Sequence, residues 1–235
     1  MVTTGFREDL LFFEDLLKDK TPFSVTRFGD GEMTILEGKP INVMNKNEFS
    51  YEGQADLREN LIHSFTYNAP NYYVGIACRC CVGDLNFKRM EISTGLPDDK
   101  LTWANIFVNS NFEYFKSNIV PLFNEYDHIT LVSPGVVDKL PFRVDTHYLV
   151  GPNAWIHDKD VLEKIEDQIH TKQLKNQLFL FCAGPYANIL CYKLYKQFPE
   201  NTFLDLGSVF NVELEIGSNR GYINHGPTLN KTCIW

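Results

Sequence analysis

The run Phe23-Ser24-Val25-Thr26-Arg27-Phe28-Gly29-Asp30-Gly31-Glu32 sets two carboxylates, an arginine and two glycines directly after a β-branched, apolar stretch. One glycine separates Asp30 from Glu32, so a locally extended backbone would send both side chains out on the same side. Two hard oxygen ligands so placed suit Mg²⁺ or Mn²⁺, cations that keep coordination positions for water and substrate phosphate. Gly29 and Gly31 would let the backbone approach a ligand closely or take positive φ, and Arg27 offers a planar donor fork that matches phosphate oxygens. A solvated turn would account for an isolated acid-glycine-acid tripeptide. The strand before it, the arginine and the paired glycines favour a site.

The surrounding elements must hold that site. Leu10, Leu11, Phe13, Leu16 and Leu17 recur at helical spacing until Thr21-Pro22 stops the helix, and a strand over residues 23–28 follows. Residues 31–36 can start a second helix, which puts the acids near its N-terminus with backbone NH groups to offer a phosphate. Residues 41–51 read as an irregular loop, 55–65 as an amphipathic helix, and 72–77 as a buried strand. The turn-forming, charged segment 83–100 reads as a surface excursion able to cover a ligand, and 103–115 as an aromatic helix. Residues 119–123 extend that packing despite Pro121. Strands are expected over 128–132 and 146–150, and Val161, Ile165 and Ile169 mark a helix covering one sheet face. Leu178-Phe179-Leu180-Phe181-Cys182-Ala183 is a continuously apolar strand, ended by Gly184-Pro185 and followed by a helix over 187–195. Residues 202–206 supply a further strand. This alternation predicts an α/β fold with a Rossmann-like, mostly parallel sheet flanked by helices, whose ligands gather beyond the carboxyl ends of the strands. Without repeats or low-complexity linkers, residues 1–235 read as a single catalytic domain.

Composition narrows the function. With 235 residues, 44% hydrophobic and 22% charged, the chain can bury a large core and is not disordered or fibrous. A formal charge of −8 argues against a broad grip on nucleic acid, so a phosphate site must be local. No apolar run is long enough to span a bilayer, and the N-terminus lacks signal-peptide regions, so a soluble, cytoplasmic protein is expected. Six cysteines are scattered. Cys78-Arg79-Cys80-Cys81 holds one Cys-x-x-Cys with no second pair to complete a zinc site, and free thiols are the expectation. Asn230-Lys231-Thr232 is a lone glycosylation sequon.

The string Ser24-Val25-Thr26-Arg27-Phe28-Gly29-Asp30-Gly31-Glu32, followed by Ala183-Gly184-Pro185-Tyr186-Ala187 and Asp205-Leu206-Gly207-Ser208, resembles the GT-D-type glycosyltransferases. The resemblance implies a Rossmann-like transferase whose Asp-x-Glu motif binds a divalent metal and a nucleotide-sugar, with a UDP-sugar as the expected donor and a glycan or glycoconjugate as acceptor. On that basis Asp30 and Glu32 carry over as the metal and diphosphate site. Ser208 stands where related sequences carry a His after the glycine, so a role assigned to that His does not transfer.

In such a reaction the metal and Arg27 neutralise charge on the leaving diphosphate. Arg27, Gly29, Gly31, Asn105, Gly184 and Ser208 are expected to line the nucleotide-sugar. A structural salt bridge is the plain alternative for Arg27, and tight strand-to-helix packing for Gly184. Inversion would need a base for the acceptor hydroxyl, with Asp205 first, then Glu213 and Glu215. Helix capping competes for Asp205. His147 and His225 lie near turns and could contact acceptor, and Trp103 reads as core. Two other classes use the same residues: a metal-dependent nucleotide phosphohydrolase, and a nucleotide- or glycan-binding module without turnover.

Overall fold

The computed structural model describes residues 5–42, 50–217, 221 and 233. In chain order its elements are α1 (Phe6–Lys18), β1 (Ser24–Phe28), α2 (Asp30–Leu36), β2 (Ile41–Asn42), β3 (Ser50–Tyr51), α3 (Ala55–Thr66), β4 (Tyr72–Ile76), α4 (Arg79–Thr94) and β5 (Leu101–Trp103). There follow α5 (Phe112–Tyr114), which runs on through a π turn and a 3₁₀ turn to Glu125, then β6 (Ile129–Ser133), β7 (Thr146–Leu149), α6 (Ala154–His157), α7 (Asp160–Lys172), β8 (Leu178–Phe181), α8 (Pro185–Gln197) and β9 (Thr202–Asp205). Among the described residues seven strands form one sheet in the order β5-β4-β1-β9-β8-β6-β7, with every pairing parallel. The short β2 and β3 pair antiparallel. No helix among the described residues is long and apolar enough to cross a membrane.

Strand alternation decides what each face of β1 meets. Thr26 and Phe28 face α3 and α8: Phe28 packs on Phe65 at 4.7 Å, and Asn188 Nδ2 donates to Thr26 Oγ1 at 2.9 Å. Phe23, at odd parity, stacks on Phe13 of α1 at 5.6 Å, so Arg27 leaves on the α1 side. Helices on both faces explain why β4, β6, β8 and β9 are buried at every position, as parallel strands require, while the edge strand β7 is not. Asn188 Nδ2 also donates to the Arg27 carbonyl at 2.8 Å, and Ser64 Oγ donates to the Asn188 carbonyl at 2.9 Å. These buried bonds tie α8 and α3 to the carboxyl end of β1, where an unpaired amide or carbonyl would be costly.

Three expected elements differ. Segment 83–100 is mostly α4 rather than an irregular excursion. Its buried stripe is only Phe87, Met90 and Thr94, too narrow for periodicity to reveal, and the helical path breaks at Gly83 (φ 77°, ψ 161°). Trp103 closes the edge strand β5 instead of opening a helix, and is buried at 3% exposure. Residues 41–42 and 50–51 form a small antiparallel ribbon where a loop was expected. The sequon and His225 lie outside the described residues.

Candidate functional site

Side chains from β1, α2 and β9 converge where the sheet's connections part. After β1 the chain turns towards α3 and β4. After β9 it runs the other way, and the Val136 amide, beyond β6, donates to the Leu214 carbonyl. Strand ends that part in this way open a crevice at the carboxyl edge of an α/β sheet. Arg27 and Asp205 sit at the two adjoining strand ends, β1 and β9, and pair with each other there.

Asp205 follows the last β1–β9 pair, Val25 with Leu204, and its side chain takes over where the ladder stops. Asp205 Oδ2 accepts from the Arg27 amide at 3.2 Å, and Oδ1 accepts from the Gly207 amide at 3.0 Å and from Arg27 Nη2 at 3.4 Å. Arg27 Nη1 donates to the Ala104 carbonyl at 2.9 Å, and its guanidinium lies 5.8 Å from the Phe107 ring centroid. The two side chains are only 11% and 6% exposed. Arg27 Nε is buried with no hydrogen-bond partner among the described residues. Burial pushes the Asp205 carboxyl up, against the pull of the Arg27 guanidinium and the hydrogen bonds it accepts. Three donors on one carboxylate make Asp205 the anchor of Arg27.

Glu32 is half-buried and reaches back to accept from the Gly29 amide at 2.9 Å, capping α2. Burial, with the Asp205 charge nearby, pushes its carboxyl up to about 7. Asp30 is exposed, with Oδ1 on the Gly31 amide at 3.0 Å. The extended geometry expected for this pair is corrected: both acids lie within the first turn of α2, where residues two apart diverge by roughly 200°. Neither Gly29 nor Gly31 takes positive φ, because Gly29 is an extended helix cap and Gly31 is helical. Positive φ occurs instead at Gly184 (55°), before α8, and at Gly207 (54°).

Gly207 leaves no room for a side chain. A Cβ there would sit 1.9 Å from Arg27 Nη2, which Ala104 and Asp205 hold in place. Gly207→Ala is expected to destabilise the chain by about 1–3 kcal/mol through its left-handed backbone alone, and to displace Arg27. Urea denaturation of the variant checks this, and an unchanged midpoint would contradict it.

The remaining expected residues are placed as follows. Glu213 pairs with Lys116 and Glu215 with Lys139, and neither makes a described contact with the Arg27–Asp205 pair. Ser208 follows the Gly207 turn and is half-buried. His147 lies on the edge strand β7, with Nε2 at 3.1 Å from Ser133 Oγ, and burial pushes its pKa down. Asn105 points to sulfur: its Nδ2 donates to Cys233 Sγ at 2.8 Å. At the end of β8, burial pushes the Cys182 thiol up to about 12, so it stays protonated beside Asp205. Sequence spacing missed the Arg27–Asp205 pairing because only the strand order makes those two strand ends neighbours.

Two solved structures share this architecture. A selenomethionine-substituted structure of domain of unknown function 1792 superposes with TM-score 0.59 at 17% identity, over 85% of this chain and 77% of that one. A second structure, described as showing that this highly conserved domain has a distinct glycosyltransferase fold, gives TM-score 0.56 at 18% identity over the same shares. The chain shares that fold. No family model and no curated protein sequence matches it.

Proposed function

We propose that the chain is a glycosyltransferase that moves a sugar from a nucleotide-sugar, UDP-sugars foremost, to a glycan or glycoconjugate acceptor. The observation that carries this reading is the Arg27 guanidinium, fixed by Ala104 and Asp205 with its buried Nε unpartnered, at the crevice of a glycosyltransferase-type fold. A preorganised cation there stabilises charge as it grows on a departing diphosphate, and needs no reorganisation to do so. Asp205 holds that cation in position. Gly207 keeps the space beside it free of a side chain.

Mn²⁺ or Mg²⁺ is the proposed cofactor. The donor set is chemically suited, with two hard carboxylates in the first turn of α2 and Glu32 near the Asp205 charge; because they diverge around the helix, holding one ion together requires a side chain to leave its present backbone amide partner. Asp30 and Glu32 would hold the ion, which would supply further neutralisation of the diphosphate. Gly184 and the N-terminus of the thirteen-residue α8 border the same edge and would face the donor's phosphates.

Product analysis tests the reading. The chain is incubated with a panel of nucleotide-sugars, Mn²⁺ and glycan acceptors, and products are read by mass spectrometry. The expected product is a new glycoside that forms only when acceptor is present. Phosphate-bond cleavage without acceptor would instead make the chain a phosphohydrolase, and donor binding without any product would make it a binding module.

A further inference from the structure

Apart from the Arg27 crevice, the described residues contain a cluster of four cysteines. Cys78, Cys80, Cys81 and Cys233 bring their sulfurs within 4.8 Å of one another. Cys78 Sγ lies 3.1 Å from Cys80 Sγ and 3.5 Å from Cys233 Sγ. Cys80 Sγ is 4.0 Å from Cys81 Sγ and 3.3 Å from Cys233 Sγ, and the last two are 3.9 Å apart. All are free thiols. The sequence offers one Cys-x-x-Cys without a second pair, and the fold supplies the missing ligand from residue 233.

We infer that these four cysteines bind one tetrahedral zinc ion, as a structural site separate from the donor crevice. A zinc–sulfur distance of about 2.3 Å in a tetrahedron puts the sulfurs about 3.8 Å apart, and the observed separations bracket that value. A four-iron cluster attaches each thiolate to a different iron and so spreads its sulfurs more widely than a single ion does. Four sulfur ligands close the coordination shell, leaving no open position for substrate. This is the pattern of a structural rather than a catalytic zinc.

The local backbone suits the task. Cys78 caps α4, and the Cys81 and Val82 amides both donate to its carbonyl, at 3.0 and 3.1 Å, closing a tight turn that presents three cysteines in four residues. The break at Gly83 separates that turn from the rest of α4, so its direction is set independently of the helix. Around the sulfurs are amide donors of the kind that orient metal ligands and disperse thiolate charge. Asn105 Nδ2 lies 2.8 Å from Cys233 Sγ and 3.6 Å from Cys78 Sγ, and Asn109 Nδ2 lies 3.3 Å from Cys233 Sγ. Ser110 Oγ donates to the Cys233 carbonyl at 2.6 Å. The ion would link residue 233 to the turn after β4, and the Asn105 and Asn109 amides would join Cys233 to the segment after β5. The Ala104 carbonyl that anchors Arg27 belongs to that second segment.

Metal analysis of the full chain, purified under reducing conditions without added metal, tests the proposal. The expected result is about one zinc per chain, retained through dialysis and released by a mercurial. Exchange with Co²⁺ should give the intense sulfur-to-cobalt charge-transfer bands of a tetrahedral tetrathiolate. Cys81→Ser and Cys233→Ser should each lower zinc content several-fold, while Cys182→Ala keeps it. Asp30→Ala should also keep it, so failure of the donor site and failure of this site are distinguishable. The cobalt spectrum is read on the native chain, so the proposal stays testable if a cysteine variant does not fold. A folded chain free of zinc with no charge-transfer bands would overturn it, as would an iron–sulfur chromophore or a disulfide among these four cysteines.

Discussion

An Asp205→Ala chain is expected to be about 3–5 kcal/mol less stable than the native chain, because the substitution strands a buried guanidinium without its counter-charge. Arg27 cannot shed its proton to escape that cost. The reverse substitution is expected to cost less. In Arg27→Met the orphan is Asp205, whose carboxyl burial already pushes up, so it can take a proton and become neutral. Urea denaturation of both variants near neutral pH measures the asymmetry. A smaller loss for Asp205→Ala than for Arg27→Met would show that the pair is not the anchor described.

The second large effect belongs to Glu32. Its loss is expected to weaken metal-dependent donor binding about 10–100-fold, the range seen when even outer partners of a bound metal are removed. The pH dependence is specific to this residue. Its folded carboxyl titrates at about 7 against an ordinary 4.5, so the folded chain holds the proton more tightly than the unfolded chain does. Glu32 therefore disfavours folding fully above about pH 7, and that penalty fades as pH falls towards 4.5. Relative to Glu32→Gln, the native chain should gain stability on going from pH 8 to pH 5. Metal-dependent binding should move the opposite way, since the cation needs the ionised carboxylate. Thermal melts of both chains across that range check the sign, and parallel curves would contradict it.

Much of the scaffold is readable from residue pattern alone. Continuous apolar runs such as Leu178–Phe181, short and bounded by turn residues, read as strands covered on both faces, and the alternation of such strands with amphipathic helices leads to a parallel sheet. The position of Arg27, Asp30 and Glu32 at the end of β1 follows in the same way. The partners of these residues do not. Asp205 meets Arg27 only because β9 inserts beside β1, an adjacency between residues 178 apart in sequence. Glu32 turns back on Gly29 because α2 starts one residue earlier than the glycine spacing suggests. The thiol cluster shows the same limit: three cysteines in four residues are a visible local signal, but their fourth partner lies 152 residues beyond Cys81. α4 stayed hidden because most of its surface faces water, leaving no broad apolar stripe.

Donor-induced stabilisation, measured as the melting temperature with UDP-sugars in the presence and absence of Mn²⁺, tests the central claim most directly. A ligand that binds the native state at a hundred times its dissociation constant adds about 2.7 kcal/mol of stability. The native chain should gain stability with at least one nucleotide-sugar only when Mn²⁺ is present, and Asp30→Ala and Glu32→Ala should each lose that gain while remaining folded. Equal metal-dependent stabilisation in the native chain and both variants would contradict the assignment of the metal and diphosphate to this edge.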